Sequence, residues 1–158
     1  MKIFLLTVVF FSCLSAGVIR SRALEKRRRS LSDFAAFLDF SETLLKTENP
    51  PTSEIIVRSD FFLFDGVPPL ADAEKAYREA LEKNLSRTGF SPRDVSLLDA
   101  FFAEFGKTDR EGQLSLVASV RSAAEKALAD AEADRAKYAG PYAVFGLLAG
   151  AALVIIFI

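Results

Sequence analysis

The sequence predicts an all-α fold: a cytoplasmic helical bundle between an N-terminal and a C-terminal transmembrane helix. Three observations predict it. Residues 3–19 and 139–158 are apolar and carry no charge, the part between them repeats apolar residues at helical spacing, and Pro and Gly cluster where that pattern breaks. The expected organisation is a transmembrane helix at 1–19, a helical domain at 20–138 and a second transmembrane helix at 139–158.

The apolar ends set the frame. A bilayer core of about 30 Å needs roughly 20 helical residues, with about 17 as the lower limit, so both segments are long enough. Arg20, Arg22, Lys26, Arg27, Arg28 and Arg29 follow the first segment and are offset only by Glu25, whereas Lys2 and the amino terminus are all that precede it. The positive-inside bias places the middle in the cytoplasm and both termini outside. Arg135 and Lys137 repeat that signal ahead of the second segment, although Asp130, Glu132 and Asp134 dilute it. A cleaved signal peptide is the competing reading of the first segment, with Ser15-Ala16-Gly17 near a possible cleavage point. The cations that follow the segment argue against it. A lipid-modified Cys13 is weaker, because Phe10, Phe11 and Ser12 do not form the usual aliphatic-small-small run. The basic run at 26–29 also suits contact with anionic lipid; its bland reading is topological.

Composition excludes several chemistries. There is no histidine and the one cysteine, Cys13, lies in an apolar segment, so zinc sites, histidine bases and an internal disulfide lack their residues. A net charge of −1 with mixed signs argues against a nucleic-acid binder. No catalytic, cofactor-binding or metal-binding residue is expected.

Between the anchors, Leu31, Phe34, Phe37, Leu38, Leu44 and Leu45 predict an amphipathic helix over 20–47, stopped by Asn49-Pro50-Pro51. A short helix over 52–59 precedes an irregular apolar stretch, Phe61-Phe62-Leu63-Phe64, read as core rather than docking site, which closes on Asp65-Gly66 and Pro68-Pro69. The next helix is expected over 70–86, with Ala73, Tyr77, Ala80, Leu81 and Leu85 on its buried side, ended by Gly89. Ser91-Pro92-Arg93-Asp94 then supplies a capping-box-like start with proline at the first helical position. Leu98, Phe101, Phe102 and Phe105 form the apolar stripe of that helix.

A sharp helix-to-helix corner follows at 105–113. Gly106 fits a C-cap, and Thr108 fits an N-cap with Glu111 completing a capping box. Gln113, on the first turn of the next helix, either bonds across the corner or faces a partner. Leu114, Val117, Val120, Ala124, Leu128 and Ala131 carry the last long helix towards the membrane, interrupted only by Gly112 before Gly140-Pro141. The alternate carboxylates Asp130, Glu132 and Asp134 spread around that helix as a solvated face rather than an acid–base pair. Gly140-Pro141 permits a kink, with Tyr138 and Tyr142 as interfacial anchors. Gly146 and Gly150 form a G-x-x-x-G, and Ser12 with Ala16 a weaker small-residue pair; these suit packing of the two anchors or a homo-oligomer.

Taken in order, the N-terminal anchor, the basic start to a leucine-rich helix, Pro50-Pro51, Ala76-Tyr77, the corner residues Gly106, Asp109 and Gln113, and the final segment with Gly146-Leu147-Leu148-Ala149-Gly150 resemble stage III sporulation protein AB over nearly the full length. Tyr77 and Thr52 stand where that family more often has tryptophan and leucine. The resemblance implies a cytoplasmic domain similar to the platform proteins of type II secretion and type IV pilus machines. It also implies a membrane complex that links mother cell and forespore in endospore-forming bacteria. Its implied partners are a secretion-type ATPase in the mother-cell cytoplasm and the other membrane subunits of the complex, which makes this subunit a non-catalytic adaptor. Two other function classes stand beside it: a platform-like subunit of another secretion or pilus system, and a carboxylate-dependent membrane enzyme, which would need a paired Asp/Glu site buried between helices.

Overall fold

The computed structural model describes the backbone of residues 2–66 and 72–157, and the side-chain surroundings of residues 12, 15, 18–66, 72–138, 140, 141, 144, 148, 149, 151 and 152. The described residues form α1 (Lys2–Thr47), α2 (Thr52–Arg58), a 3-10 turn (Phe62–Phe64), α3 (Ala73–Thr88), α4 (Pro92–Glu104) and α5 (Arg110–Phe157), with no strand among them. The chain is therefore all-α, as the periodicity predicts. It divides into two compact units, one of Arg29–Ala129 and one of Met1–Arg28 with Asp130–Ile158.

The unit of Arg29–Ala129 is built around phenylalanine. Phe34, Phe37 and Leu38 from α1, Phe61, Leu63 and Phe64 from the turn region, Tyr77 from α3, and Leu98, Phe101, Phe102 and Phe105 from α4 are buried in one cluster with Val117 and Ala124 of α5. Tyr77 stacks on Phe102 at 4.6 Å between centroids, and Phe101 meets Phe102 edge-to-face at 5.0 Å. Phe37 lies within reach of both the turn and α4, at 5.4 Å from Phe61 and 5.8 Å from Phe102. Offset and edge-on pairs of this kind add about 0.5–1.5 kcal/mol each beyond the area they bury. The stretch Phe61–Phe64 is thus core, with Phe62 half-buried.

The helix ends follow local chemistry. After Thr47, Asn49 takes a positive φ of 49° and its N–H donates to Leu44 O at 2.9 Å, so the chain turns out of the helix before Pro50. Ser91 and Asp94 form the expected capping box: Ser91 N–H donates to Asp94 Oδ2 at 2.8 Å, and Asp94 N–H to Ser91 Oγ at 3.3 Å. Helix α3 differs from expectation at both ends. Asp72 caps it by accepting from Glu74 N–H at 3.0 Å, and it continues to Thr88 before Gly89 turns at φ 65°. Positions 67–71, which include Pro68-Pro69 and the expected start at Leu70, lie outside the described residues.

The buried side of α3 also needs correction. Ala73, Tyr77 and Ala80 are buried as expected, but Leu85 is 51% exposed and Asn84 and Thr88 are buried instead. Residues 73, 77, 80, 84 and 88 follow one helical stripe; Leu85 is rotated about 100° from Asn84, towards solvent. Asn84 is tolerated there because its Nδ2 donates to Leu63 O at 3.0 Å, and Ser30 Oγ similarly donates to Thr88 O at 2.6 Å. Most buried polar groups in folded proteins are paired in this way.

In the unit of Met1–Arg28 with Asp130–Ile158, Arg135 Nε pairs with Glu25 Oε2 at 2.5 Å and Arg27 Nη1 with Asp134 Oδ2 at 3.2 Å. Moving up α1 from 25 to 27 moves down α5 from 135 to 134, so the two segments run antiparallel. Glu25 also accepts from Arg28 at 3.2 Å, and Ala131 is buried. Asp134 is therefore not simply part of a solvated face. Among the described residues no helix is long and apolar enough to cross a membrane. The two expected spans, 3–19 and 139–158, lie largely outside the described side chains, as do Cys13, Ala16, Tyr142, Gly146 and Gly150. Helix α5 includes Pro141, which has no N–H to offer the carbonyl of Lys137.

Candidate functional site

The corner between α4 and α5 is where the structure gathers Gly106, Asp109 and Gln113. Phe105 N–H still bonds Phe101 O at 2.9 Å, and Gly106 then takes φ +90° while Lys107 N–H closes on Glu104 O at 3.1 Å. A positive φ at the residue that ends a helix suits glycine. Space requires it as well, since a Cβ on Gly106 would meet Thr52 Oγ1 of α2 at 2.5 Å.

The start of α5 corrects the sequence expectation. The helix begins at Arg110, so Asp109 rather than Thr108 is the N-cap, and Asp109 Oδ1 accepts from Gly112 N–H at 3.0 Å. Glu111 consequently lies two positions past the cap instead of three. Gly112 also has a local reason: a Cβ there would meet the Thr108 side chain and Asp109 Oδ1 at 2.9 Å. Gln113 N–H donates to Asp109 O at 2.9 Å, and its Nε2 reaches back to Thr108 O at 3.1 Å.

Cations tie this corner to the rest of its unit. Lys107 Nζ bonds Glu74 Oε2 at 3.1 Å, and Arg78 bonds the other oxygen of Glu74 at 3.0 Å. A cavity of about 270 Å³ opens beside it, lined by Thr52, Asp72, Ala73, Phe105, Gly106 and Lys107. Sequence reasoning missed Arg110, whose Nε donates to Leu45 O at 2.7 Å and whose Nη2 donates to Lys46 O. A guanidinium on the last carbonyls of α1 satisfies acceptors the helix leaves open and complements its negative end. Arg110→Met should lose about 1–2 kcal/mol of stability, since charge-assisted bonds are worth roughly 1.5–3 kcal/mol and partial exposure discounts them. Denaturant titration of the variant against the parent checks this; an unchanged midpoint would show the clamp to be idle.

Further along, Arg121 of α5 pairs with Asp39 at 2.5 Å and also with Glu42, while Arg58 binds Glu48 at 2.6 Å. The Glu42 carboxyl is held below its ordinary value, first by Lys46 and then by Arg121; Arg58 does the same for Glu48, and Lys107 with Arg78 for Glu74. Depressed carboxylates contribute stability that is fully present above their unfolded pKa of 4.5 and is lost as pH falls through the lower folded values. Because the chain has no histidine, the melting temperature should be flat between about pH 6 and pH 8 and decline below about pH 4.5. A thermal-melt series across that range reads it directly. Burial, together with the Asp99 carboxylate, pushes the Tyr77 hydroxyl well above the usual phenol range, so it stays neutral throughout.

The topology-setting cations divide by surroundings. Arg27 and Arg28 are half-buried and paired, whereas Arg20, Arg22, Lys26 and Arg29 are exposed. Among the described residues no group of three side chains is placed to hold a metal ion.

The family model described as stage III sporulation protein AB matches residues 69–158, more than half of the chain. The matched part contains Ala76-Tyr77, the whole α4–α5 corner and the segment with Gly146 and Gly150; Pro50-Pro51 and the N-terminal segment lie before it. Comparison with curated proteins and with solved structures finds no match.

Proposed function

The chain belongs to the stage III sporulation protein AB family, and on that premise we propose that it is a non-catalytic membrane subunit of a secretion-like complex linking mother cell and forespore. In this reading both apolar ends span the membrane, the termini lie outside, and the helical unit of Arg29–Ala129 works in the mother-cell cytoplasm as an adaptor for a secretion-type ATPase. Other membrane subunits of the same complex are its neighbours.

The observation that carries the reading is the family match across the corner and the C-terminal apolar segment. Two further features support it. Ile19, Val144 and Leu148 are exposed large apolar side chains of the unit that holds both ends of the chain, which suits lipid better than water. The unit of Arg29–Ala129 has its own aromatic core and tied helix ends, as a part that transmits force between partners requires. An adaptor of this kind acts through rigid surfaces rather than through a reacting group.

Deletion of the gene in its host, followed by starvation, counting of heat-resistant spores and microscopy of engulfment, tests the proposal. Completed engulfment followed by failed forespores supports it. Normal sporulation of the deletion strain overturns it.

A further inference from the structure

We propose that a cavity on the unit of Arg29–Ala129, between α1 and the end of α2, is a docking pocket for one arginine side chain of a protein partner. All its lining residues lie between positions 33 and 61, ahead of the matched part of the chain at 69–158, so the pocket is a feature outside the family match.

One helical stripe and one loop build the pocket. Asp33, Ala36, Phe37 and Phe40 stand at i, i+3, i+4 and i+7, which puts them on one face of α1. Arg58, Ser59, Asp60 and Phe61, where the chain leaves α2, form the opposite wall. Between the two is a cavity of about 290 Å³, and Ala36, with only a Cβ, leaves that space open. Asp33, Ala36, Arg58 and Asp60 are exposed and Phe40 and Ser59 half-buried, so the cavity faces solvent. Phe37 and Phe61 are buried beneath it, with ring centroids 5.4 Å apart.

Charge and ring surface decide the occupant. Arg58, the one cation in the lining, is held by other groups: its Nη1 lies 2.6 Å from Glu48 Oε2 and 3.3 Å from Glu54 Oε1. Asp60 has no ion pair or side-chain hydrogen bond among the described residues, and Asp33, engaged within the chain, brings a second carboxylate to the rim. Asp33, Asp60, Glu48 and Glu54 thus stand against Arg58 alone, and a cation is the complementary occupant. A guanidinium suits these walls better than an ammonium. It is flat and weakly hydrated, and it stacks on a ring such as Phe40 while its N–H groups reach carboxylates at the edge. The volume falls below the roughly 300–1,000 Å³ of small-molecule sites, which matches one side chain rather than a whole ligand.

The test uses the full chain, labelled with carbon-13 phenylalanine and purified in a neutral detergent. It is titrated with N-acetyl-arginine amide, whose capped ends imitate an arginine within a polypeptide, and followed by NMR. We expect saturable shifts of the Phe40 and Phe61 ring signals, binding about threefold weaker for N-acetyl-lysine amide, and no saturation with the neutral isostere N-acetyl-citrulline amide. Asp60→Asn should weaken arginine binding about threefold, the scale of an exposed ion pair. Ala36→Leu, which fills the cavity from an exposed position and leaves the core untouched, should abolish it. Lys107→Gln, at the other cavity of the unit, should bind as the parent does. Shifts that do not saturate, citrulline binding equal to arginine, or binding undiminished in either pocket variant overturns the pocket. Lysine binding as tight as arginine overturns the arginine assignment. Free arginine binding more tightly than the capped form would point to a free amino acid as ligand and overturn the docking of a protein partner.

Discussion

Phe102→Ala should lower the unfolding free energy by about 3–5 kcal/mol, the range for deleting a fully buried aromatic ring. Phe102 has no exposed surface, and its neighbours come from four separate parts of the fold. It stacks on Tyr77 of α3, meets Phe101 of its own helix at 5.0 Å and Phe64 of the 3-10 turn at 5.6 Å, and faces Phe37 of α1 at 5.8 Å. Rings anchored on so many elements cannot all move into the space left behind, so the cavity term is retained in full. Against a typical total stability of 5–15 kcal/mol, the loss brings the domain close to unfolding. Denaturant titration by circular dichroism measures it, and Phe102→Leu should fall between parent and alanine. A loss below about 1 kcal/mol would mean that the aromatic cluster repacks freely.

Gly106→Ala comes second, with a loss of roughly 3 kcal/mol from two sources. Holding a non-glycine residue at φ +90° costs about 1–3 kcal/mol, and forcing a methyl against packed atoms costs a similar amount. The new Cβ would lie 2.5 Å from Thr52 Oγ1 and 3.1 Å from Thr52 Cβ. Adding Thr52→Ala to Gly106→Ala removes the nearer atom and should restore the steric part, leaving the conformational part. Gly66 is the control: at φ 74° with nothing within 4 Å, its change to alanine should cost only about 1–2 kcal/mol. If Gly66→Ala and Gly106→Ala cost the same, the approach of Thr52 has no energetic weight. The glycine in the resemblance pattern at the corner thus has a physical reason, the close passage of α2.

Local signals located most of the fold. The end of α1 at Thr47, the start of α2 at Thr52 and the capping box at Ser91 were legible because each depends on residues within four positions of one another. The phenylalanine stripe of α4 was legible because burial repeats with the helical period. Other features were not. Thr108 and Asp109 are both competent caps one residue apart, and sequence spacing to Glu111 favours the first. Asp109 is the cap in the fold, where Gly112 N–H is within reach of its carboxylate and Arg110 is fastened to carbonyls 64 and 65 residues away. Leu85 looked like core because leucine is apolar, yet the phase of α3 assigns its place to Asn84, whose partner Leu63 lies 21 residues back.

By itself, then, the sequence determined the helical class, the punctuation between helices and the apolar ends, all of which follow from composition or from interactions between near neighbours. Only the tertiary structure decided which cap is used, which glycine is sterically required, which cations are paired and which are exposed. Each of those depends on atoms brought close from distant parts of the chain, and no local pattern encodes that proximity.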